Sequence, residues 1–126
     1  MDKIVLLVIG SIAGGLGRYF LGGFIHRFFG SNFPYGTMAV NLIGCFLIGF
    51  FSGISEDKFL LGSNGRLLLM IGFCGAFTTF STFMLETGNL MRDGETLYAS
   101  INVAASLFFG FVLFRIGLLV PKLIWS

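Results

Sequence analysis

Charge is the scarcest property of this chain: of 126 residues only 11% are Asp, Glu, Lys or Arg, eight basic against six acidic, and there is one histidine. So little charge, with a mean hydropathy of +0.93, excludes an ordinary soluble domain. No basic cluster is present to grip nucleic acid, and a net charge of +2 is too small and too dispersed to do so. The two cysteines, Cys45 and Cys74, both fall inside apolar stretches, where they read as small buried side chains rather than a disulfide or half a metal site. No nucleophile–base pair or metal-ligand cluster is visible, and GGLGRYF lacks the third glycine and the strand context of a dinucleotide site. An enzyme is therefore not expected.

What the chain has in quantity is apolar run. Four segments, 4–29, 36–54, 67–90 and 97–120, each reach the about 20 residues that carry a helix across roughly 30 Å of hydrocarbon. The connections between them are short, so a single all-α domain of four transmembrane helices over residues 1–126 is expected, with no soluble catalytic domain. The first segment is too long and glycine-rich for a signal-peptide core, and it follows Asp2 and Lys3 rather than a basic run; it is expected to remain in the mature protein.

Four spans put both termini on one side, with Lys3, Lys58, Arg66 and Lys122, against Arg27 and Arg92 on the other. A bias of four to two orients a chain weakly. Insertion with the termini inside and insertion both ways, giving antiparallel pairing, both remain open. Gly10 with Gly14, and Gly49 with Gly53, have the spacing that lets helix backbones approach closely, and point to a dimer.

Polar groups inside a span are costly enough to be functional candidates. Arg18 lies deep in the first span, where it either snorkels to the headgroups or serves function or assembly; Arg115, near a span end, snorkels. Glu86 either sits solvated in a vestibule or pairs with Arg18. The Asn41 amide is either glue between helices or a donor to a permeating anion. Tyr98, Asn102 and Ser106 recur every four residues and share a helix face, as a packing seam or a hydrophilic track.

The third span carries the densest signal, GAFTTFSTFMLE over Gly75–Glu86. Gly72, Gly75, Thr78 and Thr79 weaken a helix, so either the third helix breaks here or its hydroxyls bond back to their own carbonyls. Broken helices at membrane depth occur where they are buried in protein or line a cavity. Phe80 and Phe83 are neighbours on one face, interleaved with Ser81 and Thr82. The positive edge of an aromatic ring attracts an anion without holding it tightly.

GGLGRY in the first span, VNLIGCFLIG in the second and GFCGAFTTFSTFMLE in the third resemble the Fluc (CrcB-type) fluoride channels of bacteria, along the whole chain. The resemblance implies an antiparallel, dual-topology homodimer in the bacterial inner membrane with two fluoride pores, each lined by both subunits. It assigns Phe80, Phe83 and Asn41 to the pore, with Ser81 and Thr82 beside it. Gly75 and Thr78 would offer backbone carbonyls to a structural sodium ion on the dimer axis; no organic cofactor is implied. Arg18 matches the arginine near the vestibules and Glu86 the acid after the phenylalanines. Tyr98 and Ser106 match a polar track on the fourth helix, in which Asn102 stands where a small hydroxyl residue is expected; Phe77 replaces a smaller aliphatic residue. The implied function is passive export of cytoplasmic fluoride, protecting the cell from its toxicity. A small proton-coupled multidrug transporter and a non-transporting assembly subunit are the alternatives. The first would place an acid in the first helix, which here carries Arg18; the second predicts assembly defects without ion flux.

Overall fold

The computed structural model describes residues 2–55 and 61–124; Lys58, counted above in the charge balance, lies outside them. It is all-helical among those residues, with four stretches apolar and long enough to cross a membrane: Lys3–Phe29, Tyr35–Gly53, Ser63–Arg92 and Thr96–Ile124. Helix α1 (Lys3–Phe29) begins at Asp2, whose carboxylate accepts the Ile4 N–H at 3.1 Å. It ends at Gly30, which takes φ of 88° while its N–H reaches the His26 carbonyl. Helix α2 (Tyr35–Gly53) starts directly after Pro34.

The third candidate span has three kinds of backbone. Its first part, α3 (63–77), opens with an α-turn at Ser63–Gly65, widens to π-winding over Arg66–Cys74 and returns to α at Gly75–Phe77. Thr78 is extended, with φ −94° and ψ 160°, and helical winding resumes as α4 (Ser81–Arg92). A corner follows in which Gly94, at φ 81°, lets its own N–H reach the Met91 carbonyl and the Glu95 N–H reach that of Leu90. Helix α5 (Thr96–Ile124) then runs past Pro121. Both α3 and α5 extend beyond the apolar stretches, since helical bonding continues through Arg66 and Lys122 where hydropathy stops.

Two seams hold the helices together: α1 lies along α3, and α2 lies along α5. Both depend on glycine. A Cβ at Gly10 or Gly14 would strike the carbonyl oxygens of Leu68 or Phe73 on α3. On the other seam, a Cβ at Gly49 would strike the Phe114 carbonyl and one at Gly117 the Phe46 carbonyl, while Gly53 leaves room for the Pro121 ring. Gly36 meets the Gly22 carbonyl where α1 and α2 cross. These contacts give the Gly10/Gly14 and Gly49/Gly53 pairs a use within the single chain. Lipid tails are as apolar as side chains, so helices in a bilayer associate through close backbone packing, and each chain uses these glycines for its own.

Large apolar side chains instead face outward. Phe20, Phe24 and Phe28 on α1, and Leu107, Phe108 and Phe111 on α5, are all more than half exposed. Such a surface is an aggregation hazard in water and an ordinary one in lipid. The two cysteines are free; Cys74 is buried and Cys45 half-buried. We expect Gly14→Ala to lower the thermal stability of the purified protein by about 1–3 kcal/mol through overpacking. Gly15→Ala, whose Cβ would meet nothing within 4 Å, should leave it close to the parent; unfolding followed by temperature in detergent checks both.

Candidate functional site

An interrupted helix inside a membrane must find partners for the backbone groups it frees. Thr78 turns back, its N–H and its hydroxyl both donating to the Cys74 carbonyl at 3.1 and 3.0 Å. Thr79 is met from α2: its N–H donates to Asn41 Oδ1 at 2.8 Å and its carbonyl accepts from Asn41 Nδ2 at 3.0 Å. One amide thus replaces both helical bonds that the Thr79 peptide groups lack. The Thr79 hydroxyl accepts the Thr82 N–H, in the first turn of α4, at 3.2 Å. From α1, Arg18 Nε donates to the Ala76 carbonyl at 3.1 Å. Gly44 gives the interruption space, since a Cβ there would strike the Thr78 methyl.

The carbonyl oxygens of Gly75 and Thr78 are left. Among the described residues no hydrogen bond ends on either. Unpaired carbonyls at the close of a helix are oxygen donors of the kind that hard cations accept. No group of three His, Cys, Asp or Glu comes together among the described residues, so any cation held here would rely on backbone oxygen.

A cavity lies on each side of the interruption, and Thr79 lines both. The first, about 510 Å³, is bordered by Arg18, His26, Thr37, Glu86 and Asp93. Glu86 Oε2 accepts the Thr37 hydroxyl at 3.0 Å, and Oε1 has no partner among the described residues. Arg18 and Glu86 therefore share a cavity without forming the ion pair considered above: among the described residues the ion pair is Arg92 with Asp93, exposed and long at 3.6 Å. The second cavity, about 390 Å³, is lined by Asn41, Gly75, Thr78, Thr79, Phe80, Phe83 and Ser106.

Phe80 and Phe83 face one another at the second cavity with ring centroids 6.0 Å apart and planes tilted by 46°. Phe83 is buried, while Phe80 is 72% exposed. Their neighbours in sequence divide: Thr82 is tied to the interruption by its N–H, whereas Ser81 is exposed and lines neither cavity. The face shared by Tyr98, Asn102 and Ser106 is divided too. Ser106 borders the second cavity, its hydroxyl unpartnered among the described residues; Asn102 is buried and donates to Thr87; Tyr98 stands edge-on to Phe33 at 5.9 Å and lines neither cavity.

Three residues matter here that sequence reasoning passed over. Thr79 was visible only as a weak helix former, Thr37 carried no signal, and Thr87 is one more hydroxyl in a span. Their partners come from other helices, and no local pattern announces them.

Fold and site together define a small four-span membrane protein with an interruption in its third span, clamped from two other helices. Residues 5–118 match the family described as CrcB-like protein, camphor resistance (CrcB), and the chain belongs to that family. It is 50% identical over 123 residues, 98% of this chain and 97% of the relative, to the fluoride-specific ion channel FluC of Chlorobaculum tepidum. It is 40% identical over 126 residues, all of both chains, to that of Maridesulfovibrio salexigens. The corresponding protein of Methylocella silvestris is 48% identical over 105 residues, 82% of this chain and 80% of the relative.

Asn41→Leu keeps the side chain's shape and leaves the Thr79 N–H and carbonyl, both half-buried, without these partners, at up to about 1–3 kcal/mol each. The variant is expected to unfold at a clearly lower temperature than the parent in detergent, and Asn41→Asp, which retains one acceptor, at an intermediate one.

Proposed function

We propose that this chain is a fluoride-selective channel that lets cytoplasmic fluoride leave the cell passively, down its electrochemical gradient. The observation that carries the reading is the 50% identity, over nearly the full length of both chains, to a protein named as a fluoride-specific ion channel. The paired rings of Phe80 and Phe83 beside the interruption support it chemically. A ring edge attracts a small anion weakly enough to release it. The Ser106 hydroxyl and the second N–H of Asn41 are donors placed to replace part of its hydration. In a narrow, dry path such replacement favours fluoride over the larger chloride. Weakly acidic HF that has diffused inward dissociates in the cytoplasm, and the trapped anion leaves without any catalytic step.

The working unit in this reading is an antiparallel homodimer in the bacterial inner membrane. Four spans are few to enclose a conduit, and Phe80 and Gly75 are exposed on the single chain. The Gly75 and Thr78 carbonyls, free of hydrogen bonds among the described residues, fit a sodium ion shared with the same two oxygens of a second copy. Bound there, sodium would offset the partial negative charge of those carbonyl oxygens and tie the two interruptions together.

Liposomes holding the purified protein should release fluoride rapidly to a fluoride electrode while chloride release stays negligible; a verified dimer that releases no fluoride overturns the proposal. Phe80→Ile and Phe83→Ile should each slow fluoride release roughly tenfold, equivalent to about 1.4 kcal/mol. Dual topology predicts that Asp93→Cys, in an exposed corner, is labelled by a membrane-impermeant thiol reagent from both sides of the membrane; labelling from one side alone would require a single orientation.

A further inference from the structure

Asn102 is only 1% exposed, in the second turn of an apolar helix. Its neighbour decides which way its amide faces. The Thr87 hydroxyl donates to the Phe83 carbonyl at 2.7 Å, so what it offers across the seam to α5 is a lone pair. Asn102 Nδ2 donates to it at 2.9 Å. Reversing the amide would set two oxygens against each other. Oδ1 is thereby turned away, buried and without a partner among the described residues.

A threonine that bonds back to the carbonyl one turn earlier is ordinary in membrane helices. Here its oxygen also ties α4 to α5, through a residue that leaves half its own hydrogen-bonding capacity unmet. A leucine in place of Asn102 would fill similar space and carry no polar atom of its own to leave unpaired, though it would take away the donor to Thr87. What it would lack is a bond fixing α5 to the α4 backbone at Phe83.

We infer that Asn102 and Thr87 are positioning residues: the chain of donation from Asn102 to Thr87 to the Phe83 carbonyl sets where the Phe83 ring stands relative to Phe80. Asn102 borders neither cavity, and it acts from behind the ring rather than on the ion path. The inference rests on the channel reading above.

The test measures fluoride and chloride release from liposomes, with thermal unfolding of the same preparations, for the parent, Thr87→Val, Asn102→Leu, the double variant and Thr87→Ser. Each of the first two single variants strands a buried polar partner, so both should lose thermal stability and lower the fluoride-to-chloride release ratio, roughly three- to tenfold. The double variant has no stranded partner and should recover stability while keeping the lowered ratio, no worse than either single variant. Thr87→Ser preserves the hydroxyl and should behave as the parent. A double variant whose release ratio recovers along with its stability would overturn the inference in favour of a purely structural role. An Asn102→Leu defect far larger than that of Thr87→Val, multiplying with it in the double variant, would overturn it in favour of direct contact with the ion. Variants that all match a fluoride-releasing parent defeat the positioning role alone, whereas a parent that releases no fluoride defeats the channel reading itself.

Discussion

The hydrogen bonds between Asn41 and the Thr79 backbone are what make the rest of this structure tenable. A peptide group removed from its helix inside a bilayer has no water to turn to, and leaving it unpaired costs several kcal/mol. Asn41 meets the N–H and the carbonyl of the same residue with one planar amide, donor to acceptor on both sides. With that clamp in place, α3 and α4 can part, Thr79 can border two cavities, and the carbonyls of Gly75 and Thr78 can stay free of hydrogen bonds.

The clamp requires helices held unusually close, and the glycines supply this. Gly44, one turn below Asn41 on α2, lets the Thr78 methyl approach the helix backbone, while Gly10 and Gly14 seat α1 on α3 near the point where Arg18 reaches the Ala76 carbonyl. The third span is therefore gripped from both flanks, by an amide on one side and a guanidinium on the other. Thr87 and Asn102 extend the same pattern beyond the interruption, a backbone carbonyl tethered by side chains. Side chain to backbone is the recurrent bond type here, because a wandering main chain is what the membrane penalises most.

The polar residues of the spans show how far local pattern reaches. The spacing of Tyr98, Asn102 and Ser106 placed them on one face, and they do share it, yet each meets a different neighbour because α5 passes the loop, α4 and the second cavity in turn. Arg18 and Glu86 were legible as costly charges, but not their partners, Ala76 and Thr37. The paired glycines were legible as close-packing sites, and their spacing is silent on whether the neighbour belongs to the same chain.

The amino-acid sequence by itself determined that this is a four-span membrane protein, because hydropathy and length are properties of each segment alone. Its motifs over Gly14–Tyr19, Val40–Gly49 and Gly72–Glu86 also determined the family, which residues 5–118 match. Tertiary structure alone decided which carbonyls are satisfied and which are left open, that Thr79 stands between two cavities, and that Asn102 is held behind Phe83. Those are matters of a few ångströms between residues 15 to 58 positions apart, and at membrane depth a hydrogen bond is formed or lost over that distance.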